Sequence, residues 1–459
     1  MNGMEKTFAQ EMLELLGEKK YSALKQELGA KNGADIAAAF GELRPEQIPL
    51  LFRLLPKELA AETFVEMEPE DREVLIHGFS DAELGEVINE LFVDDAVDLV
   101  EEMPANVVKR ILAQAEPAMR REINELLRYP ENSAGSIMTT EYVSLRPDMS
   151  VDEAIAHIRK TAIDRETIYT CYVTKSRKLL GVITIKDMLL HGKDGVTIGD
   201  IMDENVISVE TLTDQEQVAQ MLSKYDFLAL PVVDAENRMV GIVTFDDAMD
   251  VLEDEATEDI EKMAGMLPSD KTYLRSSSVD LFKHRIPWLL FLMISATFTG
   301  WIITSFENAL AAQVVLTAFI PMLMGTGGNS GSQTSVTVTR ALSLDELSFR
   351  DLPAVIWKEI RAAALCGVVL AAACFVKIML VDRLAFGNAD ITPMVAFVVC
   401  LTMALTVVIA KLIGCSLPML AKKLGLDPAV MAGPIISTTV DAVSLLVYFG
   451  AAKALLRLG

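Results

Sequence analysis

The chain has few of the groups that enzymes use. Its 459 residues contain no recognisable nucleophile–base pair, P-loop, HExxH or metal triad, which argues against an enzyme. Histidine occurs four times, the last at His284. The five cysteines (Cys171, Cys366, Cys374, Cys400 and Cys415) form no CxxC or Cys/His cluster, and four lie in apolar runs. They read as small buried hydrophobes rather than zinc or copper ligands. A basic excess is also missing, because the net charge is −24, and nucleic acid is excluded as a partner. No N-terminal signal peptide is visible: MNGMEKTFAQEMLELL is amphipathic and acidic, so the soluble part is expected to stay cytoplasmic.

Charge is divided unevenly. Residues 287–459 carry 11 Lys/Arg against 9 Asp/Glu, a net of +2, so residues 1–286 hold −26 of the chain's −24. An acidic soluble half precedes an apolar half. Such a field concentrates cations.

Residues 1–130 show no strand pattern but carry a weak 24-residue repeat: LRPEQIPLLFRLLP, MEPEDREVLIHGFS and LFVDDAVDLVEEMP, opening at Leu43, Met67 and Leu91. Acidic or Pro openings followed by apolar residues at helical spacing predict stacked short helices, a superhelical all-α N domain. Asp94 and Asp98 fall on one helix face there, either as a solvated surface or as a cation site.

Residues 131–255 read as a duplicated α/β module, 131–198 and 199–255. SIMTTEYVSLRPDMS at Ser136 matches DIMDENVISVETLTD at Asp200, and LLGVITIKDMLL at Leu179 matches MVGIVTFDDAMD at Met239. This resembles a tandem pair of CBS domains. The resemblance implies a ribose-holding Thr-x-x-Asp after the last strand of each copy, here Thr184 with Asp187 and Thr244 with Asp247. Helix capping is the competing role for both acids. An adenine nucleotide such as ATP at the CBS pair is the corresponding cofactor expectation.

The second copy runs into FDDAMDVLEDEATEDIEKMAG, with nine carboxylates from Asp246 to Glu261. Asp247, Asp250, Asp254, Glu258 and Glu261 share one helical stripe, with Glu255 and Asp259 beside it. Like charges at this spacing destabilise a bare helix. Hard oxygen-seeking cations, Mg²⁺ or Ca²⁺, suit such a helix. A connecting helix over 256–286 then leads to the membrane through Lys271, Arg275, Lys283, His284 and Arg285, which place that end inside.

Five spans are expected in residues 287–459, at about 287–306, 311–341, 354–381, 391–420 and 428–456, with the C-terminus outside. The second contains GTGGNSGSQTSVT from Gly325, whose Gly325, Gly327, Gly328 and Gly331 permit close backbone approach. Asn329, Ser332, Gln333, Thr334 and Thr337 are polar at membrane depth, as a wet path or as glue between helices. The fifth has a kink expected at Gly433–Pro434, then Ser437, Thr438 and Asp441 about one turn apart. A carboxylate at that depth is read as part of an ion path. The path offers oxygen ligands only, which suits Mg²⁺. One carboxylate cannot balance a divalent ion, whereas a two-fold dimer supplies two. No inverted repeat is evident in five spans, which argues against a coupled secondary transporter, and a pure sensor needs no polar path through lipid.

With these motifs in place, GTGGNSGSQ and DPAVMAGPIISTTVDAV at Asp427 above all, the chain resembles the MgtE family of Mg²⁺-selective channels over nearly its full length. The resemblance implies a homodimer in the cytoplasmic membrane with its pore on the two-fold axis. It implies Mg²⁺ uptake closed by intracellular Mg²⁺, or a broader divalent transporter taking Co²⁺, Mn²⁺ or Ca²⁺. Asp441 would hold hydrated Mg²⁺ beside Asn329, with Gly328, Gly433 and Thr438 completing the lining. Regulatory Mg²⁺ would be held by Asp94 and Asp98, by Asp214, Glu216 and Asp226, by Asp247, Asp250, Glu255, Glu258 and Asp259, and by Asp427. The sequence departs from some members at Gly433, where they have Asn. A backbone carbonyl serves there, or the filter is less selective.

Overall fold

The structure is a computed structural model that describes residues 7–191, 195–269 and 273–457. Lys271, expected among the basic residues before the first span, lies outside the described residues. The chain forms two compact units, Met1–Leu252 and Glu253–Gly459.

The first unit opens with ten short helices: α1 (Phe8–Gly17), α2 (Tyr21–Leu28), α3 (Gly33–Gly41), α4 (Ile48–Phe52), α5 (Lys57–Val65), α6 (Pro69–Gly78), α7 (Asp81–Ile88), α8 (Val93–Glu102), α9 (Ala105–Gln114) and α10 (Pro117–Leu126). Their starts are written in the sequence. Thr7 and Ser80 close capping boxes with Gln10 and Glu83, and Pro69 and Pro117 open α6 and α10. Each 24-residue repeat supplies two helices, and alternate helices pack together: α3 on α5, α5 on α7, α7 on α9, with α4 on α6 and α8 on α10. This is the superhelical array that the repeat predicts.

The duplicated module follows. The first copy holds β1 (Ser144–Leu145), α11 (Val151–Thr161), β2 (Thr170–Lys175), β3 (Lys178–Thr184), α12 (Ile185–His191) and α13 (Ile198–Ile201). The second holds β4 (Val209–Glu210), α14 (Gln215–Tyr225), β5 (Ala229–Val233), β6 (Met239–Thr244) and α15 (Phe245–Met263). Both sheets have the same order, a parallel pair and then an antiparallel pair. The copies also exchange their leading segments. Thr139 of the first bridges to Ile242 of the second, and Asp203 bridges to Val182 of the first. Gly241 and Gly181 make this possible: Met138 Sδ would stand 2.8 Å, and Met202 Sδ 2.5 Å, from a methyl built there. One apolar cluster runs from the helical array through Ala134 and Met138 into the second copy.

Among its described residues the second unit contains four helices long and apolar enough to cross a membrane. They are α16 (Ser278–Ser305), α19 (Leu352–Lys377, lengthened at both ends), α20 (Pro393–Lys423) and α21 (Gly433–Leu456, preceded by a 3-10 turn). The intervening α18 (Ile320–Ser343) is about 36 Å long at 1.5 Å per residue and more polar. The helix α20 is central, packed on α18, α19 and α21, whereas α16 touches chiefly α21.

Four expectations change. The segment 256–286 is divided, because α15 stops at Met263, Gly265 takes φ +73°, and α16 starts afresh at Ser278 behind a Ser277 cap. The span expected over 311–341 is broken: α17 (Glu307–Ala312) ends, a 3-10 stretch covers Val314–Phe319, and Pro321 sits in the first turn of α18, where its missing N–H costs nothing. Gly433–Pro434 does not kink a helix but begins one, also with Pro in the first turn. Cys366 is exposed on α19, against the expectation of burial, while the other four cysteines are buried.

Candidate cation path and its acidic surround

In the second unit the glycine-rich helix α18 lies against α21. A methyl at Gly328 would stand 3.5 Å from Ser437 Oγ and 3.8 Å from Asp441 Oδ1. At Gly327 it would meet Thr406, Ser444 and Val440 at 2.7 to 3.0 Å, so the two helices approach as closely as they do only because these residues lack side chains. Ser332 Oγ and Ser437 Oγ are 3.3 Å apart across the seam. Asp441 and Ser437 are half-buried, and Asn329, Gln333 and Thr337 form an exposed polar edge on α18. Thr438 also stands half-buried, its hydroxyl donating to Pro434 O at 2.8 Å. The seam thus presents a carboxylate and amide and hydroxyl oxygens on one uncovered side.

The start of α21 is met by the end of α15. Met263 O occupies the space that a side chain at Gly433 would fill, and Gly433 itself has φ +43°. Gly265 lies under Pro434, whose ring carbon would be 2.8 Å from a methyl there. The contact is also charged. Lys262 Nζ is 2.7 Å from Asp427 Oδ2 and also pairs with Glu258. Asp427 Oδ1 accepts from Ala429 N at 2.7 Å. Ser343 Oγ donates to Asp259 Oδ2 at 3.1 Å. Burial pushes Asp259 up, the Ser343 bond opposes this, and Asp427 adds to it. A lysine therefore stands where a metal was expected between Glu258 and Asp427.

In the first unit, Asp94, Asp95 and Asp98 of α8 face Glu141, Glu166, Asp246 and Asp247 of the duplicated module. Val93 N donates to Glu141 at 3.1 Å across this face. Burial, followed by the Asp247 charge, raises Asp94 well above the usual range. The same two causes push Asp95 to about 7, Asp98 to about 7 although its side chain opens to solvent, and Glu166 to about 8. Burial pushes Asp247 to about 6 against its Thr244 hydrogen bond. Asp94 Oδ1 and Glu166 Oε2 are buried without a hydrogen-bond partner. Orphaned carboxylate oxygens in a crowd of carboxylates fit a cation. Among the described residues no three His, Cys, Asp or Glu side chains close tightly enough to grip a bare ion.

The remaining expected residues are placed as follows. Thr184 with Asp187 and Thr244 with Asp247 each close a hydroxyl–carboxylate hydrogen bond at the start of the next helix, which is the capping role. Asp214 caps α14 through Glu216 N at 3.0 Å, with Glu216 beside it, whereas Asp226 ends the same helix in the left-handed region. One chain does not bring Asp226 together with the other two. Asp250 lies farther along α15 on the expected stripe, and Glu255 beside it.

Comparison with known proteins bears on these positions. A family model described as MgtE, divalent cation transporter, matches residues 320–451. The MgtE intracellular N domain matches 31–132, and CBS domains match 134–193 and 198–254. The magnesium transporter MgtE of Thermus thermophilus is 37% identical over 459 residues, spanning 99% of this chain and all of that protein. The chain belongs to the MgtE family. A magnesium transporter MgtE of Bacillus subtilis is 34% identical over 92% of this chain and 94% of its own length. A crystal structure of the cytosolic domain of the Mg²⁺ channel MgtE in complex with ATP has TM-score 0.51 and 37% identity, covering 53% of this chain and all of that one. The names mark MgtE proteins as transporters rather than enzymes, with an intracellular N domain, a CBS pair and a membrane-spanning helical half.

Sequence reasoning missed several residues of this MgtE chain. Asp95, Glu141 and Glu166 join the acidic face, and only the fold brings the last two there. Lys262 was masked by the acids around it. Glu359 and Lys411 lie inside apolar runs, and a scan of the spans for charge would have found both.

Proposed function

We propose that the chain is a homodimeric Mg²⁺ channel or transporter of the cytoplasmic membrane, closed by intracellular Mg²⁺. The observation that carries this is the seam of α18 and α21, where Asp441, Ser437 and the α18 polar edge face an uncovered side. A two-fold axis along that side would bring two Asp441 carboxylates together, enough to balance one divalent ion. Asn329, Gly328 and Thr438 would border the hydrated ion, with Gly433 at the inner mouth. The positive-inside bias favours an inner N-terminus and an outer C-terminus.

Closure follows from differential affinity. Mg²⁺ bound among Asp94, Asp98, Asp247 and Asp250 relieves the repulsion that otherwise parts α8 from the duplicated module. Mg²⁺ near Glu255 and Asp259 would add to the Lys262 bridge from Glu258 to Asp427 and so hold the end of α15 over the start of α21. Asp214, Glu216 and Asp226 would add a site requiring a second chain. Ions that bind the closed form better shift the population to it. The orphaned oxygens of Asp94 and Glu166 support the first of these sites. ATP at the CBS pair would tune the set point through Thr184 and Asp187; the ATP-bound cytosolic domain of a relative supports this.

Mg²⁺ flux into proteoliposomes tests the reading. Asp441→Ala should abolish uptake with the dimer intact, and unchanged uptake would refute it. The family model's wording favours a second, broader reading, in which Co²⁺, Mn²⁺ or Ca²⁺ is carried as well. Competition by each ion against Mg²⁺ separates the two.

A further inference from the structure

Two charges are buried inside the helical half, away from Asp441. Glu359 lies on α19 and Lys411 on α20. Their side chains are only 17% and 11% exposed. Between them stands Thr334 of α18. Lys411 Nζ donates to Thr334 Oγ1 at 3.1 Å, Thr334 Oγ1 donates to Glu359 Oε2 at 3.1 Å, and the ammonium is 3.5 Å from the same Oε2. One hydroxyl therefore ties three helices, accepting from one charge and donating to the other. Charges in lipid-embedded helices are costly and are kept where they act. Helix glue needs no charge, because threonine and serine serve for that.

The network sits one turn from the tightest packing of α18. Gly331 O fills the space a side chain at Gly414 would need, and Thr334 Cβ lies 3.2 Å from that position. A methyl on Gly331 itself would meet Ile436 at 2.8 Å, Val440 at 3.2 Å and Ala410 O at 3.3 Å. One further turn along α18 is Gly328, opposite Asp441 and Ser437. Successive turns of one helix therefore run from the charge pair, through a wedge with no spare volume, to the path.

We propose that Glu359 and Lys411 are positioning residues, which fix the register of α18 through Thr334 and so set the spacing of its polar edge from Asp441. This rests on the transport reading above. The pair does not touch the ion. It neutralises itself, so Lys411 puts no net positive charge beside a cation path.

Buried pairs offer a clean test. Removing one partner strands a charge, whereas replacing both is often neutral for stability. Lys411→Met alone should therefore lower the yield of folded dimer, and Lys411→Arg should keep it. Glu359→Gln combined with Lys411→Met should restore wild-type yield and melting temperature. Positioning predicts that this stable double variant still differs in two readouts. Amide exchange across residues 326–338 should be faster than in wild type. Mg²⁺ flux should fall about tenfold, or discrimination against Co²⁺ weaken by that factor, the scale of coupling through packed networks. A double variant with wild-type exchange, flux and discrimination would overturn the proposal and leave the pair a structural filler. Exchange is read without transport, and wild-type flux with its Asp441→Ala control is measured alongside. Failure of the transport reading is thus distinguishable from failure of this one.

Discussion

At the scale of single residues, the most informative side chain is Lys262. It occupies, with a tethered ammonium, the gap between Glu258 and Asp427 where the carboxylate pattern alone calls for a divalent ion. A covalently supplied cation cannot be removed by a chelator. It holds part of the contact between α15 and α21 without any ion, and in the proposed closure Mg²⁺ would supply the rest through Asp259 and its neighbours. The pair is partly exposed, so its contribution is at most about 1 kcal/mol. Lys262→Met should raise the Mg²⁺ concentration for half-closure about two- to fivefold, read as the Mg²⁺ dependence of flux. An unchanged midpoint would show that the lysine is incidental. Residue identity gave little warning of this role. Lys262 sits i+4 from Glu258, the commonest surface pairing on a helix, and its second partner is 165 residues away in sequence. Asp441, by contrast, was legible, because a carboxylate in an apolar run stands out without any structure.

Among elements, the meeting of α15 with α21 depends on two glycines. Gly433 combines a left-handed backbone with Met263 O in the space of its side chain. Alanine there would incur both the conformational cost, about 1 kcal/mol, and a collision with main chain that cannot rotate away. Gly433→Ala should loosen the end of α15, leaving flux higher in millimolar-range Mg²⁺ and residues 264–269 more open to protease. Protection equal to wild type would contradict this. The element also explains what the sequence could not resolve. The start of α21 needs a left-handed backbone angle at Gly433, and that angle is invisible in a string of letters. Helix boundaries were readable where Pro or a capping box marks them, as at Pro69, Ser80 and Pro117. They were misjudged where a break depends on tertiary contact, as at Gln313 and after Met263.

For the whole molecule, the acidic face in the first unit makes stability depend on pH. Each of Asp95, Asp98, Glu166 and Asp247 has its folded-state value raised above the ordinary carboxylate range near 4, to between about 6 and about 8. The folded form holds protons that the unfolded chain releases. The contribution is fully present below about pH 4 and is lost as pH rises through 6 to 8. In metal-free buffer the cytosolic melting transition should therefore fall from pH 5 to pH 8. Saturating Mg²⁺ should flatten the fall and release protons on binding, which calorimetry in buffers of different ionisation enthalpy reads directly. A melting temperature that rises with pH in the absence of metal would contradict the assignment. Much at this scale was legible beforehand: domain order, duplication, charge division and the Asp247 stripe all follow from composition and period. Glu141 and Glu166 were not, since nothing local in the sequence says which loop of the first CBS copy turns toward α8.

The crossed bridges of Thr139 with Ile242 and Asp203 with Val182 have one more consequence. Each half of the duplication has its own three-stranded sheet, and each sheet is extended by a bridge to the leading segment of its twin. Opening one half therefore costs the other its bridge, so a small molecule bound at either Thr-x-x-Asp corner would steady both halves, and any coupling between the two corners would be the same in either direction.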